Sequence, residues 1–323
     1  MFHGETMGTT WSVSLVDREN VDPDRQQTWR QNIQNRLDAV DAQMSHWRHD
    51  SDLGRFNRAP AGSWHPLPDA FFEVLSYALG IAAASDGAYD PTAGALVNIW
   101  GFGPTGRHDQ PGFQLPGASA IEAAHELGGW RRLLVDTEKR SICQPGGMLL
   151  DLSAVAKGYA VDRVALYLKS AGIAHYLVEV GGELRGAGMK PDRQPWWVAL
   201  ESPTASTSPP TSIQAPVETI VALHGLSIAT SGDYRRVYQA NGRQLSHTID
   251  PRDGHPIHNN VASVTLLHAS CMEADALSTA LTVLGVEDGL SFAEQHRFAA
   301  RFLVRTNTGF TERTSSAFLA MLQ

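Results

Sequence analysis

Cysteine is nearly missing from this 323-residue chain: Cys143 and Cys271 are the only two. That is too few for a disulfide-dense scaffold or a cysteine-rich zinc site, so both are read as buried or free thiols. No apolar run reaches the roughly 18 residues of a membrane helix. There is no lysine or arginine tract, and the formal charge is −8, which excludes broad attraction to nucleic acid or acidic lipid while leaving a local anion site open. Thirteen histidines are scattered without an HExxH pair. The run "VEVGGELRGAG" follows a strand pattern yet lacks GxGxxG, no GK[ST] phosphate loop occurs, and Ser153 and Lys157 stand one residue too far apart for an S-x-x-K nucleophile. The opening "MFHGETMGTTWSV" has neither the basic region nor the apolar segment of a secretory leader. No internal repeat is visible.

What is present is a core-forming composition. Apolar residues make 42% of the chain, charged residues 19%, and glycine contributes 29 residues, which favours a turn-rich enzyme or ligand binder over a fibrous or disordered protein. The length suits one large unit or two closely packed lobes. "TTWSVSLV" reads as a strand, residues 28–44 as a helix through Ile33, Leu37, Val40 and Met44, and Asp69 to Ala84 as a second helix. "SHWRHDSDLGRFN" mixes polar and aromatic residues, and "NIWGFGPTGRHDQPGFQLPG" reads as a loop or lid. A helix is expected near 119–127, with strands in "RRLLVD" and "SICQPGGMLLDLS". Val161, Val164, Ala165 and Leu168 make another helical stripe, closed by Gly172. "HYLVEV", "WWVAL" and "SVTLLH" read as strands, and about 272–284 as a helix. The Pro/Ser/Thr-rich stretch 201–219 reads as an exposed insertion. The expected fold is α+β, a mixed α/β two-lobed single catalytic unit with antiparallel-rich sheets and flanking helices, spanning 1–323.

Three places carry chemistry. In "DLSAVAKG", Asp151 and Ser153 before an apolar stripe form a helix-capping signal; the alternative is a helix start that binds phosphate, with Lys157 adding positive charge and Gly158 permitting close approach. In "EADALSTAL", Asp275 and Thr279 lie four residues apart, on a helix face distinct from the stripe Leu277, Leu281 and Leu284. They form either a solvated polar face or an oxygen pair suited to Mg²⁺ rather than zinc. His247, between a strand pattern and the loop "DPRDGHP", is either an ordinary hydrogen-bonded histidine or an acid or base. His175 and His268 read as packing or surface residues. Trp47 and Tyr89 could stack on a planar cofactor or simply bury apolar area.

Taken in order, "ETMGTTWSV", "MSHWRHDSDLGRFN", "GAYDPTAGALVNIWGFGP", "LDLSAVAKGYAVDRVA", "VEVGGELRGAG", "ATSGDYRR", "SHTIDPRDGHP" and "EADALSTAL" resemble the FAD:protein FMN transferase family, over almost the whole chain. The resemblance implies FAD as substrate, Mg²⁺ as cofactor, and an acceptor flavoprotein or electron-transfer subunit whose serine or threonine receives FMN through phosphate as AMP leaves. It implies a flavin nucleotide site at Met7, Trp47, Tyr89, Asp90, Asp151, Lys157 and Ile249. The metal would be held by the Ala154 carbonyl, Asp275 and Thr279, with Ser278 close by, and His247 would be the base, with Lys157 balancing phosphate charge. Hydrolysis of FAD to FMN and AMP, or plain flavin binding, are the competing expectations. Many relatives of this kind are exported lipoproteins, so the expected address is the periplasmic face of the inner membrane if a leader was removed, and the cytoplasm if the sequence is complete.

Overall fold

Alternation along "TTWSVSLV" resolves into a strand, Thr9–Val16, whose Trp11 and Val13 face the core. In the computed structural model, which describes residues 1–17, 22–200, 219–232, 237–240, 243–307 and 309–321, this strand belongs to an eight-stranded sheet. Its order is Phe2–Thr6, Thr9–Val16, His175–Val180, Glu183–Ala187, Leu226–Gly232, Val261–His268, Ala299–Thr306 and Gly309–Thr314. Every neighbouring pair is antiparallel. Two tight turns lie along one end: Met7-Gly8 joins the first two strands, and Gly181-Gly182 joins the third and fourth, with positive φ at all four residues as such two-residue hairpins require. The expected insertion at 201–219 lies outside the described residues except for Thr219, as does "ATSGDYRR" beyond Gly232.

Eight α-helices are found among the described residues: α1 (Pro23–Met44), α2 (Asp52–Asn57), α3 (Asp69–Ala84), α4 (Gly94–Ile99), α5 (Ala118–Leu127), α6 (Ala156–Ser170), α7 (Cys271–His296) and α8 (Ser316–Ala320). None is long and apolar enough to cross a membrane. α6 and α7 pack against one another and, with α1, bury the sheet's main face, while α3 packs against α7 and α1. Each fully buried leucine or phenylalanine there contributes about 2 kcal/mol. A smaller apolar cluster of Trp196, Leu200, Leu223, Ile228 and Phe318 includes the opposite face of the sheet. Val261–His268 is consequently buried on both sides, so the polar Ser263 and Thr265 are as enclosed as the apolar Val264 and Leu266 they alternate with. A third cluster joins α4, α5 and Ile249.

The observed architecture is the expected mixed α/β fold with antiparallel sheets and flanking helices. Several local expectations change. α1 begins earlier than residue 28, at Pro23, with Asp22 as its cap. Asp52–Asn57 forms a helix inside the polar aromatic stretch, and α4 occupies the first residues of the expected lid. Only Ser141–Cys143 of "SICQPGGMLLDLS" is a strand. α7 runs past 284 to His296, but with a break at Gly285, where φ is 81° and the helical path is interrupted.

Candidate functional site

The start of α6 is where the separated motifs meet. Asn57, at the end of α2, clamps Leu150 from both sides: its carbonyl accepts from the Leu150 N–H at 2.8 Å and its amide donates to the Leu150 carbonyl at 3.0 Å. The next residue, Asp151, donates its N–H to the Pro91 carbonyl at 2.8 Å, which ties in the segment "AYDPT". These backbone bonds fix the run 150–155 before any helix begins.

Asp151 does not cap α6. The helix starts at Ala156 with Val155 as N-cap and no side-chain cap bond. The Asp151 carboxylate instead accepts from the Ser153 N–H at 2.8 Å and the Ser153 hydroxyl at 2.6 Å, and it pairs with His46 Nδ1 at 3.2 Å. Burial would raise its pKa, but the charge and hydrogen bond of His46, with the two bonds from Ser153, hold it well below the usual carboxylate range. Burial likewise opposes the charging of His46, and Asp151 outweighs it, so the imidazole is raised. Pairing from a distant loop therefore replaces the local cap. His46 was not singled out in the sequence; its signal is its place beside Trp47 in "MSHW".

Gly158 is where α6 touches α7. A Cβ there would lie 2.2 Å from the Cys271 carbonyl oxygen and 2.8 Å from Asp275 Cβ, so only glycine permits the approach. The Gly158 N–H donates to the Asp275 carboxylate at 2.9 Å. Had the helix begun a turn earlier, that N–H would have gone to the Ala154 carbonyl, which is thus left outside the helical ladder.

Asp275 and Ser278 are buried, and Thr279 is half-buried, so the alternative of a solvated polar face does not hold. Burial raises Asp275 above the ordinary carboxylate value against the pull of Lys157 and the Gly158 N–H. Ser278 donates back to the Asp275 carbonyl at 2.9 Å, and Thr279 donates to Ser231 at 3.4 Å. Ser231, in "ATSGD", is a neighbour the sequence did not announce.

Lys157, one residue before the contact, pairs with Glu183 beside the Gly181-Gly182 turn. Burial opposes its charge, but Glu183 and Asp275 push its pKa above the ordinary lysine value. Glu183 is pushed up to about 7, chiefly by burial, with Lys157 opposing and Asp275 adding. Only one oxygen of Glu183 meets Lys157. The other is buried with no hydrogen-bond partner, as is the Tyr89 hydroxyl, whose pKa burial pushes far up, with Asp275 and Asp151 adding. Two buried polar atoms beside this charge cluster thus make no hydrogen bond within the chain.

The remaining expected residues are distributed around this junction. Tyr89 is packed into the core and presents no open ring face, and its hydroxyl is buried as well. Trp47 is 50% exposed, tilted on His46, with the Arg107 guanidinium 5.7 Å from its ring centroid. Met7 occupies a left-handed turn position, φ 47°. Asp90 directs both carboxylate oxygens into the chain itself, to Thr92 and to the Trp130 N–H, and lines a cleft of about 300 Å³ with His125 and Arg132. His247 belongs to a separate aromatic group, its ring edge-on to Phe102 at 6.1 Å, while Ile249 is buried among the α4–α5 cluster. Among the described residues no three His, Cys, Asp or Glu side chains converge as a metal cluster.

A lysine at a helix start thus stands among buried carboxylates and unmatched polar atoms, the kind of arrangement enzymes use for charged, oxygen-rich ligands. The ApbE family pattern matches residues 7–302. The chain is 38% identical to the FAD:protein FMN transferase of Vibrio cholerae over 319 residues, covering 99% of this chain and 91% of that protein. It is 35% identical to that of Escherichia coli K12 over 325 residues, covering 100% and 89%. Among solved structures it resembles apo Pseudomonas stutzeri flavinyl transferase ApbE, at 40% identity with TM-score 0.87, covering 99% of this chain and 95% of that one. It also resembles the Vibrio cholerae flavin transferase ApbE, at 36% identity with TM-score 0.87, covering 99% and 98%. This chain belongs to the ApbE family.

Proposed function

We propose that the protein transfers FMN from FAD to a serine or threonine hydroxyl of an acceptor protein, releasing AMP, and that Mg²⁺ assists. The observation that carries the reading is the junction itself: the Gly158 to Asp275 hydrogen bond of 2.9 Å brings the "DLSAVAKG" and "EADALSTAL" segments to one point beside Tyr89 and Asp151. The donors there suit a hard cation. Asp275, the hydroxyl of Thr279 and the free Ala154 carbonyl would hold Mg²⁺, with Ser278 alongside, and all are oxygen donors. When bound, the ion would supply neutralisation of the pyrophosphate and of the departing AMP.

In this reading the chain's own residues orient and shuttle. Trp47 offers the open aromatic face for the flavin, and Met7, Tyr89, Asp90, Asp151 and Ile249 surround the nucleotide. Lys157 offsets phosphate charge. The acceptor hydroxyl oxygen attacks the FMN phosphorus, the phosphorus–oxygen bond to AMP breaks, AMP leaves with the bonding pair, and His247 takes the hydroxyl proton. The flavin keeps its oxidation state throughout.

Purified protein incubated with FAD, Mg²⁺ and candidate acceptor domains, then read by intact-mass and tandem mass spectrometry, tests this. An acceptor serine or threonine carrying FMN, with AMP released, is expected. Free FMN and AMP without labelled acceptor would mean hydrolysis, and unchanged bound FAD would mean a carrier. In the same assay a folded His247→Ala protein binds FAD but transfers about 10²-fold more slowly; undiminished transfer removes the base role.

A further inference from the structure

Lys157 brings a positive charge close to the carboxylate proposed to hold the metal. Its ammonium acts through space on Asp275, yet its hydrogen bond goes to Glu183. The steering is built into the backbone. Gly181 has a φ of 61°, and a Cβ added to it would lie 3.3 Å from Lys157 Cδ and 2.9 Å from Thr9 Cγ2, so the Gly181-Gly182 turn lies close along the lysine stem, with Glu183 following directly on the strand. Glu183 is 3% exposed and uses one oxygen on Lys157, the other having no partner. With the carboxylate buried and the lysine half-buried, such a pair is a poor stabiliser, since desolvation of Glu183 offsets the attraction. Its use lies elsewhere.

We propose that Glu183 is a positioning residue that holds the Lys157 ammonium off Asp275 and so keeps that carboxylate open to a divalent cation. Without Glu183, Asp275 is the other carboxylate acting on the half-buried Lys157, and the ammonium turns toward the place of the metal. The inference rests on the metal reading above, and it runs against simple charge counting: Glu183 is not a metal ligand, yet losing it weakens metal binding because it frees a competitor.

The test is calorimetric titration of the whole 323-residue chain with Mg²⁺ alone, in the absence of FAD, comparing wild type, Glu183→Gln, Lys157→Met and the double variant. Glu183→Gln should bind Mg²⁺ more weakly by about tenfold or more, the scale on which a neighbouring charge acts on a carboxylate. The double variant should recover affinity close to wild type, which a merely structural defect would not allow. Lys157→Met alone should bind at least as tightly as wild type, and it tests the same competition even if Glu183→Gln does not fold. Wild-type affinity in Glu183→Gln, a double variant as weak as the single, or weakened binding in Lys157→Met overturns the inference while leaving the metal site standing. Absence of Mg²⁺ binding in the wild type overturns the metal reading and this inference with it.

Discussion

The α6–α7 junction and the aromatic rim around Trp47 and His247 are built on opposite principles. At the junction, Gly158, Asp275, Lys157 and Glu183 are locked by close backbone contact and buried charge. At the rim, Trp47 is half exposed, Arg107 lies over its ring, Phe102 meets His247 edge-on, and His108 stacks on Tyr238 at 4.6 Å. Ring contacts of this kind contribute little individually and permit movement. The junction is therefore held by tight packing and charge, whereas the rim is held by weak ring contacts at the surface.

Substitutions separate the two regions, beginning with the largest expected effect. Gly158→Val forces α6 and α7 apart at the Cys271 carbonyl; it should destabilise the fold by about 3 kcal/mol in denaturant unfolding and abolish transfer. A wild-type unfolding curve would show that the helices separate without cost and would remove the junction as a rigid element.

His46→Gln comes next, with a loss of about 2 kcal/mol from a charge-assisted buried bond. Its sign with pH is fixed by both partners. Asp151 is depressed, so its contribution is present above the unfolded value of 3.8 and is lost as pH falls through its lower folded value. His46 is raised, so its contribution is present below 6.5 and is lost as pH rises through its higher folded value. The gap between wild type and variant should therefore be widest between those unfolded values and narrow in alkali; a pH-independent gap contradicts the ion pair.

The smallest structural effect belongs to the rim. Arg107→Ala should leave the melting temperature unchanged while altering Trp47 fluorescence and the KM for FAD. A large loss of stability would place the rim with the junction.

The same division decides what was legible in the sequence. Asp69 to Ala84 was readable to the residue because Phe71, Val74, Leu75, Ala78 and Ile81 recur at helical spacing. Asp52–Asn57 was not, since six residues are too few to show a period. The order of the sheet was also hidden: its two edges are Phe2–Thr6 and Gly309–Thr314, from opposite ends of the chain. At the site, the shared helix face of Asp275 and Thr279 could be read from their spacing, though the structure gives them different partners, Gly158 and Ser231. Glu183 and His46 could not, because each acts across space on a residue far along the chain. The capping expectation for Asp151 failed for the same reason: His46 supplied a stronger partner than the helix end. The expected roles of Met7, Asp90 and Ile249 came from family resemblance alone, with no local pattern behind them.

The most direct test of the account is Asp275→Ala, measured side by side for FAD binding by fluorescence quenching and for Mg²⁺-dependent FMN transfer to an acceptor. FAD affinity close to wild type is expected, with transfer reduced by about 10²-fold or more and no longer responsive to Mg²⁺. Full transfer with an unchanged Mg²⁺ response would contradict it.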